Sequence, residues 1–110
     1  MGLNYYQIKK NVRRARKLVI RATSNAGSGH PGGSFSMAEI MGCIFFKYLK
    51  YDPKNPNWED RDKLVLSKGH ASPGLFSNMA LAGYFDQSEL DTLRKFGSRL
   101  QGHPDLKCPV

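Results

Sequence analysis

The sequence has no apolar run near the roughly 20 residues that a membrane-spanning helix needs. The longest candidate, Ile40 to Phe46, is far shorter. Cysteine is scarce. Cys43 and Cys108 stand 65 positions apart, with no CxxC pair, which excludes a disulfide framework and argues against zinc. Two reduced cytosolic thiols are the expectation. The N-terminus is polar and basic rather than apolar, so no signal peptide is expected and the localisation is read as cytoplasmic. There is no internal repeat and no long low-complexity linker. A chain of 110 residues suits one domain and is too short for two ordinary ones.

Acidic residues are missing altogether from positions 1–22, which hold seven basic side chains: Lys9, Lys10, Arg13, Arg14, Arg16, Lys17 and Arg21. The remaining chain is nearly balanced, with ten basic and nine acidic residues, so the net charge of +8 belongs to one segment. Such a balance invites a nucleic-acid or anionic-membrane partner. The pattern argues for something plainer. Ile8, Val12, Ala15, Leu18, Val19 and Ala22 recur at three and four, which predicts a helix over about 4–24 with its charges on the opposite face. Asn4 is the expected N-cap, with Gln7 completing a capping box. A basic helix docked by its apolar stripe, solvated on its other face, is the favoured reading. A mitochondrial presequence is disfavoured because the helix runs straight into the glycine-rich stretch.

Residues 24–34 read as a loop carrying four of the eleven glycines. Ser36 and Glu39 have capping-box spacing, so a buried helix is expected over about 37–49. Residues 52–57 form a polar loop. Lys63–Ser67 is the one convincing strand, short and apolar. Ser72-Pro73 starts a third helix, capped by the serine hydroxyl, and Gly83 ends it. Ser88 caps a fourth short helix that stops near Gly97, and residues 97–110 are loop. This order is the grammar of an α/β domain, mostly helical, with one or two short strands. One strand is not a sheet, and the second helix carries more apolar surface than four short elements can cover. The chain reads as the opening part of a larger fold.

The chain has three histidines, and each follows a glycine: Gly29-His30, Gly69-His70 and Gly102-His103. All three fall in expected loops, where ligand-binding groups concentrate. A preceding glycine frees the backbone and lets a ligand approach closely. A neutral imidazole donates to phosphate or hydroxyl and shuttles a proton near neutral pH. Any one of them alone reads as a turn residue satisfied by backbone; as a set they point to one shared polar site. Spacings of 40 and 33 residues make no local metal signature, so metal ligands are assigned to none of them. The glycine-rich stretch could cradle phosphate, yet it is neither a P-loop nor a dinucleotide fingerprint.

Ser28-Gly29-His30-Pro31-Gly32, then Asp60 through His70, then Phe96-Gly97-Ser98-Arg99 with Gly102-His103-Pro104, closely resemble the N-terminal part of transketolase, from about Val12 onward. The resemblance implies an enzyme that transfers a two-carbon ketol unit between sugar phosphates through thiamin diphosphate and Mg2+, in the pentose phosphate pathway of carbohydrate metabolism. It implies a thiamin-diphosphate-binding fold over residues 1–110 as a single, incomplete domain. It also assigns roles. His30 stands beside the reacting carbon and handles substrate hydroxyls and protons. His70, with Gly69, contacts the cofactor. His103 hydrogen-bonds the donor sugar near its terminal hydroxyl. His30 and His103 are thus the expected catalytic and substrate-binding residues. The implied partners are sugar-phosphate substrates, a C-terminal transketolase half or subunit, and a second copy in a homodimer of the full enzyme.

The departures carry weight too. No Gly-Asp-Gly segment, which holds the divalent metal in the family, occurs here, so the metal ligands are expected outside this chain. The activating glutamate and the sugar-phosphate-binding basic residues are also missing. The expectation is therefore a truncated or incomplete piece, inactive by itself. Dihydroxyacetone synthase is the rival within the same chemistry; the Ser-Gly-His-Pro-Gly start disfavours the deoxyxylulose-phosphate synthases. Outside that chemistry stand a basic-helix fragment binding RNA or an anionic surface, and a remnant that no longer folds.

Overall fold

The computed structural model describes residues 4–27, 31–67, 71–93, 95, 96, 98 and 100. Its longest element, α1, spans Tyr5–Ala26. Both arms of the Asn4–Gln7 capping box are made, at 2.9 and 3.1 Å, so two of the orphan donors at this helix start are satisfied reciprocally. Gly27 closes the helix in the left-handed conformation, φ 67°, with its N–H bonded to the Ser24 carbonyl. The residues α1 buries are Ile8, Val12, Ala15, Leu18, Val19 and Ala22, the stripe read from periodicity. Lys9, Lys10, Arg13, Arg14, Lys17 and Arg21 are exposed.

The glycine-rich stretch is not all loop. Residues Pro31–Ser36 wind into a short helix, α2, followed after the single residue Met37 by α3, Ala38–Cys43. The predicted Ser36 cap is not used: Met37 precedes α3 with no side-chain bond, and the Ser36 hydroxyl donates back to the Gly33 carbonyl at 2.9 Å. A single helix over 37–49 is also not what forms. From Ile44 to Tyr48 the winding loosens to a π-helical turn, closed by the Leu49 N–H on the Ile44 carbonyl at 2.8 Å. The wider turn buries the adjacent pair Phe45 and Phe46 while Tyr48 stays exposed, and Ile40 is exposed as well, so this segment is not buried all round.

Among the described residues there is no β-strand, so the expected strand at Lys63–Ser67 is corrected. Leu64 and Leu66 pack against the core, but Val65 between them is exposed. A strand needs a neighbour for its backbone groups, and no neighbouring strand forms among the described residues. The chain then enters α4, Ser72–Ala82. Ser72 is its first residue rather than its cap; Ala71 holds the cap position and has no side-chain bond to offer. Gly83, φ 101°, ends it as expected. The last described element is a 3-10 helix, Gln87–Thr92, shorter than the predicted fourth helix. Its cap is Asp86, which accepts from the Ser88 N–H at 2.8 Å, and not Ser88 itself.

Two apolar clusters make the core, and α1 serves both. Its N-terminal half gives Ile8 and Val12 to a cluster with Ala38, Met41, Phe45 and Phe46. Its C-terminal half gives Leu18 and Ala22 to a cluster with Phe76, Ala80, Phe85, Leu90, Leu93 and Leu100. Met79, Leu81 and Tyr84 pack against both and join them. No helix among the described residues is long and apolar enough to cross a membrane.

Candidate functional site

His30, Gly69, His70 and His103 lie outside the described residues. What the structure does describe is the scaffold to which each is covalently joined. The helix α2 begins at the residue after His30, and the chain is described again from Ala71, the residue after His70. These two starts are tied together by Ser34. Its hydroxyl accepts from the Gly74 N–H at 2.9 Å and donates to the Ala71 carbonyl at 3.4 Å. Ser34 is 2 % exposed, so both bonds are shielded from water.

Gly74 makes this approach possible. A Cβ built there would stand 3.0 Å from the Ser34 Cβ, closer than ordinary side-chain contacts allow. Sequence reasoning passed over Ser34 and Gly74. The signal was a shared offset, since each lies four residues beyond a Gly-His pair. One turn further along α4, Asn78 is buried and donates to the Gly74 carbonyl at 2.8 Å. Its Oδ1 and the neighbouring Ser77 hydroxyl are enclosed without a partner. The first half of α4 thus buries several polar side chains, Ser72, Ser77 and Asn78, and meets buried Ser34 of α2 at Gly74.

The third Gly-His pair follows Leu100 by two residues. Leu100 is fully buried in the cluster that contains Phe76 of α4. Its N–H is held by the Ser98 hydroxyl at 3.0 Å, and Ser98 pairs with the Thr92 hydroxyl at 2.7 Å. The described residues nearest the three Gly-His pairs thus lie at α4 or on segments packed against it. Among the described residues, no group of three or more His, Cys, Asp or Glu could hold a metal ion.

A second concavity lies elsewhere, between α1 and α3. It is an open groove of about 270 Å³ with Ile8, Val12 and Cys43 in its lining and Lys9, Arg13, Arg16 and Glu39 around them. Arg16 donates to Glu39 across it, and this bond holds the Glu39 carboxyl below its ordinary range. Burial pushes the phenols of the stacked pair Tyr51 and Tyr84 up.

The family described as "Transketolase, thiamine diphosphate binding domain" matches residues 7–109. A relative from a Clostridium species, the 6-deoxy-6-sulfo-D-fructose transketolase subunit SqwG, is 46% identical over 95 residues, covering 86% of this chain and 34% of its own length. Mouse transketolase is 47% identical over 100 residues, covering 88% of this chain and 16% of its own. Among solved structures, transketolase from Campylobacter jejuni superposes with a TM-score of 0.86 at 34% identity, over 96% of this chain and 17% of that one. Transketolase from Leishmania mexicana gives 0.85 at 33% identity, over 89% and 15%. The chain therefore spans between about a third and about a seventh of the length of these proteins.

Proposed function

Since this chain belongs to the transketolase family, where it matches the thiamin-diphosphate-binding domain, we propose that it supplies the N-terminal part of an enzyme that moves a two-carbon ketol unit between sugar phosphates. Bound thiamin diphosphate, with Mg2+, would supply the carbanion-stabilising centre for that transfer. The chain's own share is binding, orientation and proton transfer. His70 and Gly69 hold the cofactor. His30 faces the reacting carbon and carries protons to and from substrate hydroxyls. His103 fixes the terminal hydroxyl of the donor. An imidazole suits each task because it donates when neutral and changes protonation near pH 7.

The observation that supports this reading best is the Ser34 link between the helices that follow His30 and His70. Two residues 40 positions apart are thereby attached to one buried junction. Metal ligands are assigned to a Gly-Asp-Gly segment outside these residues, and an activating carboxylate and the groups that receive the sugar's anionic end to a C-terminal half or subunit. A relative named as a transketolase subunit supports a divided arrangement. A cytoplasmic setting, a homodimer and a place in the pentose phosphate pathway complete the proposal. The substrate carries a phosphate; a sulfonated sugar, as in that relative's name, is the other outcome to assay.

The test is ketol transfer by residues 1–110 joined to a Gly-Asp-Gly-bearing segment and the C-terminal half. Transfer that depends on thiamin diphosphate is expected, and His30→Ala should lower it by about 100-fold or more. Wild-type turnover in His30→Ala would remove that residue's role. Absence of cofactor-dependent transfer in the wild-type assembly would overturn the reading itself.

A further inference from the structure

We infer that Ser34 is a positioning residue: its one hydroxyl fixes the start of α4 against α2, the two helices that follow His70 and His30 in the chain. The inference rests on the proposed function and adds to it a residue that touches neither cofactor nor substrate.

The argument begins at the start of α4. The first N–H groups of a helix have no partner within it and need one from outside. The residue that usually provides it, the N-cap, is here Ala71, which has no side-chain acceptor. The acceptor comes instead from another helix. Ser34 of α2 takes the Gly74 N–H at 2.9 Å and gives its own proton to the Ala71 carbonyl at 3.4 Å. Both contacts are to backbone, so they fix the path of the chain and not merely a side chain. Both are buried, so water cannot replace them.

The geometry also depends on what Gly74 lacks. With a Cβ at 3.0 Å from that of Ser34, the serine would have to give way slightly and carry its hydroxyl with it. Ser34 and Gly74 each follow their histidine by four residues. A shift of this junction therefore moves together the starts of α2 and α4, to which His30 and His70 are covalently joined. Misplacing a catalytic group by about 1 Å can cost on the order of 100-fold in rate. A single hydroxyl in this place has leverage on chemistry out of proportion to its hydrogen-bond strength.

The experiment uses the assembled enzyme that contains this chain, with Ser34→Ala, Gly74→Ala and, as a control, Ser77→Ala. Ser77 is as deeply buried on the same helix, but its hydroxyl has no partner. Thiamin diphosphate with Mg2+ is titrated into the metal- and cofactor-free protein by calorimetry. Then kcat at saturating cofactor and KM for the sugar are measured. Ser34→Ala is expected to weaken cofactor binding and to lower kcat, each by about tenfold, with the sugar KM held within about twofold. Ser77→Ala should leave affinity and kcat at wild-type values. If Ser34→Ala and Gly74→Ala both behave like the Ser77→Ala control, the inference is wrong. Should Ser34→Ala not fold, Gly74→Ala decides alone, because it keeps the hydroxyl and displaces it: the same split supports the inference, and wild-type values overturn it. Wild-type protein that binds no thiamin diphosphate would sink the functional reading and this inference with it. Wild-type binding with unaffected variants sinks the inference only.

Discussion

Arg21 of α1 closes on Asp91 of the 3-10 helix through two parallel bonds, Nε to Oδ1 at 2.8 Å and a terminal nitrogen to Oδ2 at 2.7 Å. Asn25, one turn along the same helix, adds a third at 2.6 Å to Oδ1. The fork of a guanidinium matches a carboxylate in this way and no lysine could reproduce it. The pair joins residues 70 positions apart, and so ties the C-terminal end of α1 to the last described helix.

That clamp has a pH signature. The Arg21 guanidinium beside it holds the Asp91 carboxyl below its ordinary range, and the bond in turn raises Arg21. A depressed carboxyl stabilises the fold above its unfolded pKa of about 4, and that contribution is lost as the pH falls through the folded value. Raising Arg21 matters only at strongly alkaline pH. Asp91→Asn should therefore lower the thermal midpoint at pH 7. The difference from wild type should shrink steadily below about pH 4. Thermal melts of both proteins from neutral to acid pH measure it, and a constant difference would mean the ion pair is not its source.

Glycine at the seam between α1 and α3 should resist substitution. A Cβ at Gly42 would stand 2.5 Å from Cγ2 of Val12, a β-branched side chain with little freedom to turn aside. Gly42→Ala is expected to destabilise by about 1–3 kcal/mol despite alanine's better helix propensity. Gly32→Ala, with nothing within 4 Å, should be neutral or gain about 0.5 kcal/mol in the same urea titration.

The end of α4 should be equally selective. Gly83 sits at φ 101°, a region that L side chains rarely adopt. Gly83→Ala should cost about 1–2 kcal/mol. At Gly27, φ 67°, asparagine tolerates the left-handed conformation, and Gly27→Asn should cost only a few tenths of a kcal/mol. Denaturant midpoints for the two variants would separate these outcomes.

Neighbours on α4 should respond in opposite directions. Phe76 is 1 % exposed in the core, and Phe76→Ala should cost about 3–5 kcal/mol, enough to unfold a domain of modest stability. The Ser77 hydroxyl is buried without a bond. Ser77→Ala removes an unmet polar group, so stability should hold or rise by about 1 kcal/mol. A drop of 2 kcal/mol or more in Ser77→Ala would show that the hydroxyl has a partner after all.

Most of α1 was readable because its signals are local: the capping box and the six-residue stripe lie within reach of the helix itself, whereas its last residues before Gly27 were read as loop. The body of α4 was readable for the same reason, through Pro73 and Gly83. Its true cap was not, because the acceptor comes from Ser34, 40 residues away. Helical winding at Pro31–Ser36 runs against glycine's propensity by about 1 kcal/mol per residue; it is held by tertiary contacts that no local pattern reveals. Lys63–Ser67 was read as a short apolar strand, yet Val65 is exposed while Leu64 and Leu66 pack inward. Strand formation was read wrongly, since pairing is a property of two segments. At the candidate site, the Gly-His pairs stood out by composition, whereas the junction that joins their scaffolds was hidden in an ordinary serine and an ordinary glycine.

Both apolar clusters rest on a single rod of 22 residues. Neither can melt while the other stands, for whichever loses α1 takes its companion's floor away. A protease that nicked this rod anywhere along its length would dismantle the entire scaffold in one event, and heating should likewise produce one transition where the layout of the clusters alone would suggest two.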